Sequence, residues 1–357
     1  MLPQTLPKNK FNEFVALLLR DNRVMAPVDR GSGQFAFDQI HSKDEIGRIR
    51  MDYDITILPP KKYLLPRYET LLEFSGRDPH SGKSAMTVRA TVLLGVHPDD
   101  LHAIATTDAA FSIEPSDPHY LSKRAATRLI GLNFQAPANE QQFQADMGTL
   151  DAPEGGFDLF MTDLGDRYFV EVGSETGSKL IHSCGVCHPA GPEDHKAKQA
   201  YEKAKAANFH KKLPYNTRYL PELLDASYDS LLWDAIARRC FSCGTCTNVC
   251  PTCYCFDVQD KLNLDAASGI RQRRWDSCQL KVFAEVATGE NFREHRNSRT
   301  RHRMFRKGKY VLERTGRLGC VGCGRCIRHC VANISILEAF QQIAGEAAEI
   351  HAVEHRR

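Results

Sequence analysis

Two cysteine runs limit what this chain can be more than any other feature. The first is Cys240-Phe-Ser-Cys243-Gly-Thr-Cys246-Thr-Asn-Val-Cys250-Pro251, and about 70 residues later comes Cys320-Val-Gly-Cys323-Gly-Arg-Cys326-Ile-Arg-His-Cys330. Three thiols at two-residue spacing let a tight loop wrap one face of a four-iron, four-sulfide cubane, with small residues such as Gly244 and Thr245 giving room for close approach. The fourth cysteine, three residues further on, opens a helix that leads away from the loop and toward a second cubane. The spacing therefore predicts one [4Fe–4S] cluster on Cys240, Cys243, Cys246 and Cys330, and another on Cys320, Cys323, Cys326 and Cys250. Val331 stands where proline follows the first run, but proline there aids conformation and ligates nothing. A pair of zinc sites is the competing reading, although zinc usually takes two separate C-x2-C knuckles. Cubanes linked in this way suit sequential one-electron hops and provide no substrate pocket, so the chain reads as a non-catalytic electron carrier.

Five of the thirteen cysteines remain, and none of the thirteen lies in the first 183 residues. Clustering of this kind in a chain without a secretory signal favours metal ligation over disulfides. Cys253, Cys255 and Cys278 flank the first run, as small buried hydrophobes, as thiols tuning the nearby cluster, or as ligands of a third metal centre. Cys184-Gly-Val-Cys187-His188 matches the c-type haem attachment pattern and equally a third, non-haem centre; it also fits a segment with no cofactor. His97, Asp99, Asp100 and His102 fit a helix-start loop better than a metal site. There is no glycine-rich dinucleotide fingerprint.

Hydrophobic residues at 42% and charged residues at 25% place the chain among globular proteins, and 357 residues suit two domains. No stretch of about 18 apolar residues could span a membrane. The run Phe14 to Leu19 is cut short by Arg20 and Asp21, too soon for a secretory segment, so it reads as an amphipathic first helix in a cytoplasmic protein. In the first half, Thr87 to Val96 reads as a strand, Asp99 to Thr106 as a helix, and Asp158 to Thr162 with Arg167 to Val172 as two strands about a turn at Gly165-Asp166. The expected fold class is α+β: an N-terminal mixed α/β domain over residues 1–188, a Lys-, Ala- and Pro-rich linker over 189–222, a mainly helical dicluster ferredoxin-like domain over 223–345, and a tail over 346–357.

The long insert between the cysteine runs looks helical, which points to an α-helical ferredoxin arrangement. It is also basic, with Arg271, Arg273, Arg274, Arg293, Arg296, Arg299, Arg301, Arg303, Arg306, Lys307 and Lys309. Two readings fit, a solvated face and a docking surface for an acidic partner. Nucleic-acid binding has little support, because no aromatic interleaving or known fold motif accompanies the charge.

Several further segments carry a family resemblance. They are Ile57-Leu-Pro-Pro-Lys-Lys-Tyr-Leu-Leu-Pro66, Gly95-Val-His-Pro-Asp-Asp-Leu-His-Ala-Ile104, Asp117-Pro-His-Tyr120, Val170-Glu-Val-Gly-Ser174, Cys250-Pro-Thr-Cys-Tyr-Cys-Phe-Asp257, Arg274-Trp-Asp-Ser-Cys278 and Gly319-Cys-Val-Gly-Cys-Gly-Arg-Cys326. Together they resemble the β subunit of cytoplasmic [NiFe] hydrogenases of the sulfhydrogenase type, and its relative, the electron-carrying component of anaerobic sulfite reductase. The resemblance implies a hetero-oligomeric complex in which the two clusters relay electrons between a flavin subunit that handles NAD(P)H and a hydrogenase-like or sulfite-reductase-like catalytic partner. A haem c-containing cluster carrier for another redox complex is the further alternative. This chain departs from the family at Asp99 and at Gln142-Phe-Gln144 before Met147-Gly148, where relatives commonly carry cysteines.

Overall fold

Strand-forming runs rich in Val, Leu and Ile, buried on both faces, need helices on each side, and the first half of the chain builds such a layer. The computed structural model describes residues 2–75, 78–264 and 267–354, with no side chains described at 78–81 or 346–354. Eight strands form the main sheet: β1 (Gln4–Pro7), β2 (Arg23–Asp29), β3 (Phe35–Ile40), β6 (Thr91–Val96), β7 (Thr127–Leu132), β8 (Leu159–Asp163), β9 (Arg167–Val172) and β10 (His188–Pro189), in the order β10-β1-β9-β8-β7-β6-β2-β3. The central strands β2, β6, β7 and β8 run parallel, and β6 is buried along its whole length. The strand expected over Thr87 to Val96 thus begins at Thr91, and the helix expected from Asp99 spans Pro98–Phe111. The two strands about Gly165-Asp166 pair antiparallel as expected.

While Arg296 to Thr315 is helical, a second, four-stranded antiparallel sheet corrects the expectation of a helical insert for its first part. It joins β4 (Tyr68–Ser75) and β5 (Asp78–Ser84) from the first half to β11 (Phe256–Leu262) and β12 (Ser268–Trp275) from the insert, in the order β11-β12-β4-β5. A local physical reason is visible in β11, where Asp257, Gln259 and the residues between them alternate in exposure at a period of two. Arg273 of β12 is buried and ion-paired with Glu69 of β4 at 2.5 Å and with Asp117, which fixes the hairpin on the first half. The two halves are therefore interleaved across the boundary drawn from sequence.

The segment read as a linker is also packed. After β10, the helix Pro192–Asn208 lies against the sheet region, and the ammonium of buried Lys205 donates to Asn133 Oδ1 at 2.7 Å, the Leu150 carbonyl at 2.7 Å and Asp151 Oδ1 at 2.9 Å. The last helix, Ile336–Glu354, continues through most of the expected tail, and residues 355–357 lie outside the described residues. A second core gathers Leu220, Leu224, Trp233, Ile236, Met304, Phe305, Ile327, Ile336 and Phe340, with Phe143 and Met147 reaching in from the first half. Among the described residues, no helix is long and apolar enough to cross a membrane.

Candidate iron–sulfur centre

Each cysteine run folds into the same loop. Gly244 and Gly324 take positive φ, 78° and 73°, and each caps a single helical turn, Thr245–Asn248 and Arg325–Arg328. The position before the second cysteine of each run is also left-handed, Ser242 at φ 55° and Gly322 at 68°. Space excludes a side chain at Gly322, whose Cβ would come within 2.7 Å of the Phe143 and Gln144 backbone. The Gly322 carbonyl instead accepts the Phe143 N–H at 2.9 Å, which seats the second loop on the first half of the chain.

Two adjoining cavities result. The first is lined by Cys240, Cys243, Cys246 and Cys330, with Ile236, Phe241, Met304 and Ile334. The second is lined by Cys250, Cys320 and Cys323, with Phe143, Val321 and Lys307. Cys326, Arg303 and Ile336 belong to both linings and form the common wall. Among the described residues no three His, Cys, Asp or Glu side chains converge on a point that could hold a single metal ion; the thiols stand around spaces instead.

The electrostatics of the walls are cationic. Arg303 and Lys307 lie one turn apart where the helix Arg296–Phe305 passes through a π-helical turn, Arg306–Tyr310, a local widening that is frequent at functional sites. Both are buried. Lys307 donates to Thr252 Oγ1 at 2.6 Å, and that hydroxyl also contacts Cys250 Sγ at 3.3 Å. Arg303 Nε has no hydrogen-bond partner, and Nη1 reaches only the Met304 sulfur at 3.7 Å. A buried guanidinium left unpaired is costly. Burial acts to lower its pKa, but the sulfurs of Cys246, Cys326, Cys253 and Cys250 outweigh that and hold it well above its ordinary value. Burial pushes the Cys246 thiol up to about 11 and the Cys320 thiol up to about 12, so these groups become thiolates only with a compensating positive centre among them. Thiols that need a polycation, inside a wall of cations that needs an anion, match a cubane whose iron binds four thiolates and whose assembly is negative overall.

The first half of the chain braces the loop beside the second cavity. Arg325, between Cys323 and Cys326, is fully buried and donates both terminal nitrogens to Asp100, at 2.7 Å each, and Nε to the Thr56 carbonyl at 2.9 Å. Asp100 and Asp99 open the helix Pro98–Phe111, where the helix dipole favours negative charge. Burial raises the Asp99 carboxyl to about 7, with the neighbouring Asp100 charge adding to it. His97 stacks on Tyr53 at 4.0 Å while His102 faces the Asp151 carbonyl, so this segment is a helix start braced on Arg325 and its two histidines do not share a site. Lys61, from the Pro-Pro-Lys-Lys segment, is buried, donates to the Cys253 carbonyl at 2.5 Å and lies 4.6 Å over the Trp275 ring.

Cys253, Cys255 and Cys278 lie outside both cavity linings. The neighbouring Cys253 thiol draws Cys250 well below its ordinary value, with burial opposing and Lys307 and Lys61 reinforcing the shift. Cys278 likewise holds Cys255 down at about 6. Cys184 and Cys187 lie elsewhere, packed at the edge of the first core with their sulfurs 3.9 Å apart, and His188 is exposed in β10. The basic insert is largely consumed internally: Arg273, Arg299, Arg303 and Lys307 are buried, and Arg271, Arg274 and Lys309 are ion-paired to Asp260, Asp257 and Asp225. The four buried residues fit neither a solvated face nor a docking surface, whereas Arg271 and Arg274 are exposed and belong to a solvated face. Phe143, Lys61, Thr56 and the role of Asp100 escaped the sequence reading, since their partners lie far along the chain.

A profile of the 4Fe–4S dicluster domain matches residues 239–334, which contain both cavities' cysteines. Over 338 residues the chain is 33% identical to a Pyrococcus furiosus protein named sulfhydrogenase 2 subunit beta, covering 93% of this chain and 96% of that one. No cysteine-run match alone could produce likeness of that extent, since it takes in the sheet, the Lys61 and Asp100 segments and the hairpin as well. The chain is an iron–sulfur electron-transfer subunit and belongs to the family of sulfhydrogenase β subunits.

Proposed function

We propose that Cys240, Cys243, Cys246 and Cys330 hold one [4Fe–4S] cluster and that Cys320, Cys323, Cys326 and Cys250 hold the other, the pair relaying electrons within a hydrogenase-type complex. The shared wall of Cys326, Arg303 and Ile336 carries this reading, because it brings the two spaces into contact, the first lined by Cys240, Cys243, Cys246 and Cys330 besides Cys326, and the second by Cys250, Cys320 and Cys323 besides it. Each cluster, when bound, supplies a one-electron couple. The chain's own residues do the rest. Phe143, Val321 and Ile336 exclude water from the second space, Arg303 faces both spaces with fixed positive charge, Lys307 adds a second cation to the inner one, and the neighbouring Cys253 helps hold Cys250 as a thiolate.

The two ends of the relay differ. Cys243 is exposed, and Phe241 and Val331, which line the first cavity, are 69% and 77% exposed. The second cavity takes Phe143 from the first half of the chain, and its Cys320 and Val321 also line a groove with His102, Thr149 and Arg218. Electrons therefore pass at the Cys243 side, where a redox partner meets an apolar rim, and at the Cys320 groove, whose walls are more polar. A flavin subunit handling NAD(P)H on one side and a [NiFe] hydrogenase-like catalytic partner on the other fit the sulfhydrogenase relative; a sulfite-reductase-like partner is the second assignment.

Anaerobic purification followed by iron and sulfide analysis tests the ligand assignment, with about eight of each expected per chain. Cys330→Ala and Cys250→Ala should each lose about half the iron, and the surviving paramagnetic signal should differ between them. Zinc in place of iron and sulfide would end the assignment, as would identical residual spectra from the two variants.

A further inference from the structure

Cys184 and Cys187 take no part in either cluster cavity, yet the fold holds them as a pair. Cys184 is the last residue of the helix Glu175–Cys184, whose serine cap, Ser174, accepts the Gly177 N–H at 3.0 Å. Gly185 follows at φ 65°, a left-handed turn that reverses the chain and returns Cys187 toward Cys184. The far end of the loop is tied down at once: His188 and Pro189 pair with Thr5 and Gln4 of β1, the Ala190 N–H donates to the Pro3 carbonyl at 3.1 Å, and Thr5 Oγ1 donates to the His188 carbonyl. With both ends anchored, the two sulfurs stand 3.9 Å apart, Cys187 donating to Cys184. Both are half-buried and so within reach of a small reagent.

No third His, Cys, Asp or Glu ligand joins them among the described residues, so the pair offers two sulfurs and nothing more for a metal. Two thiols at this separation, in a C-x-x-C loop that has only to close by about 2 Å to reach bonding distance, are arranged for a different chemistry.

We propose that Cys184 and Cys187 form a thiol–disulfide exchange site that reduces low-molecular-weight disulfides and is itself oxidised to an intramolecular disulfide. In the first step the Cys184 thiolate attacks one sulfur of R–S–S–R; a Cys184–S–R bond forms, the S–S bond of the substrate breaks, and one RS⁻ leaves. In the second, Cys187 gives up its proton to the departing thiolate and attacks Cys184 Sγ, forming the Cys184–Cys187 bond and releasing the second RS⁻. Two electrons pass from the protein dithiol to the substrate, which ends as one thiol and one thiolate, the latter taking its proton from water, and a small dithiol restores the site by the same exchange in reverse.

The order of attack follows from the hydrogen bond. Accepting it from Cys187 draws Cys184 down to about 7, with burial opposing, whereas donating it pushes Cys187 up well above the ordinary thiol range. A thiol near ambient pH combines thiolate fraction with nucleophilicity, which makes Cys184 the attacking group and Cys187 the resolving one.

The test uses the full cluster-loaded chain, kept anaerobic and equilibrated across a series of reduced-to-oxidised glutathione ratios. Acid quenching, mass-tag alkylation and peptide mapping then read the state of each thiol. Oxidation should remove two tags and yield the Cys184–Cys187 disulfide peptide, reversed by dithiothreitol, with cluster absorbance constant. Cys187→Ser should trap glutathione on Cys184 at least about tenfold more than Cys184→Ser traps it on Cys187. Both thiols staying fully alkylated across the series would overturn the proposal, as would equal trapping in the two variants or a pyridine haemochrome showing haem bound to this loop. Because iron content and cluster spectra are recorded on the same samples, its failure is distinguishable from a failure of the ligand assignment above.

Discussion

Arg303 offers the sharpest test of how the relay is tuned, because its side chain lines both cavities and its Nε has no hydrogen-bond partner. Reduction adds one negative charge to a cluster, and a fixed cation nearby stabilises that reduced state. Arg303→Gln should therefore make both couples more negative. For a charge separation of roughly 6 Å and an effective dielectric of about 20, the lost attraction would be about 3 kcal/mol. For a one-electron couple at about 59 mV per tenfold, that corresponds to about 120 mV. Water entering the vacated space would screen part of it, so the expected shift is about 60 to 120 mV for each couple. The measurement is an anaerobic redox titration followed by electron paramagnetic resonance, on samples whose iron and sulfide content is checked first. Arg303→Lys keeps the charge and should stay within about 30 mV of the parent, which separates the charge effect from loss of packing. Full cluster content in Arg303→Gln with unchanged potentials, or with a positive shift, would refute the placement of this cation between the couples.

Removing the Asp100 carboxylate in Asp100→Ala leaves Arg325 buried without its bidentate partner and should cost about 3–5 kcal/mol, read as a lowered urea midpoint at pH 7; a change under about 1 kcal/mol would show that the pair does not clamp the second cysteine loop. Ser242 holds a left-handed backbone that glycine adopts freely, so Ser242→Gly should stabilise by about 1 kcal/mol unless its Oγ contact with Arg299 at 3.3 Å offsets the gain; a fall in stability would assign the larger share to that contact. Asp99, raised by burial from 3.8 to about 7, binds more protons folded than unfolded between those values, so stability should decline as pH rises from about 4 to about 7. Asp99→Asn should flatten that decline, and urea midpoints at pH 5.5 and 8 that fall equally in parent and variant would remove Asp99 as its source.

What the chain revealed before folding depended on how far each interaction reaches. The cubane assignment came from thiols two and three residues apart, and the strands around Gly165-Asp166 came from alternation within a few residues, both local signals. Arg325 and Asp100, in contrast, are separated by 225 positions, and Arg273 and Glu69 by 204. No spacing rule pairs them, so the charge of the insert could be counted but its destination could not. The helical reading of the insert held for Arg296–Phe305 and its continuation to Thr315 but failed for the hairpin, for the same reason: β12 is stable as a strand because β4, from the other half of the chain, provides its second neighbour. These long-range pairs share one consequence. Phe143 lines the second cavity, and Arg325 and Lys61 tie the first half of the chain to the segments beside it, whereas Phe241 and Val331 remain open at the first. The groove lined by His102, Thr149, Arg218 and Cys320 leaves the second cavity approachable from another side, so the two cysteine runs face different surroundings, an apolar rim and a more polar groove. A relay between two partners needs two such approaches, and their different chemistry would let each partner recognise its own end.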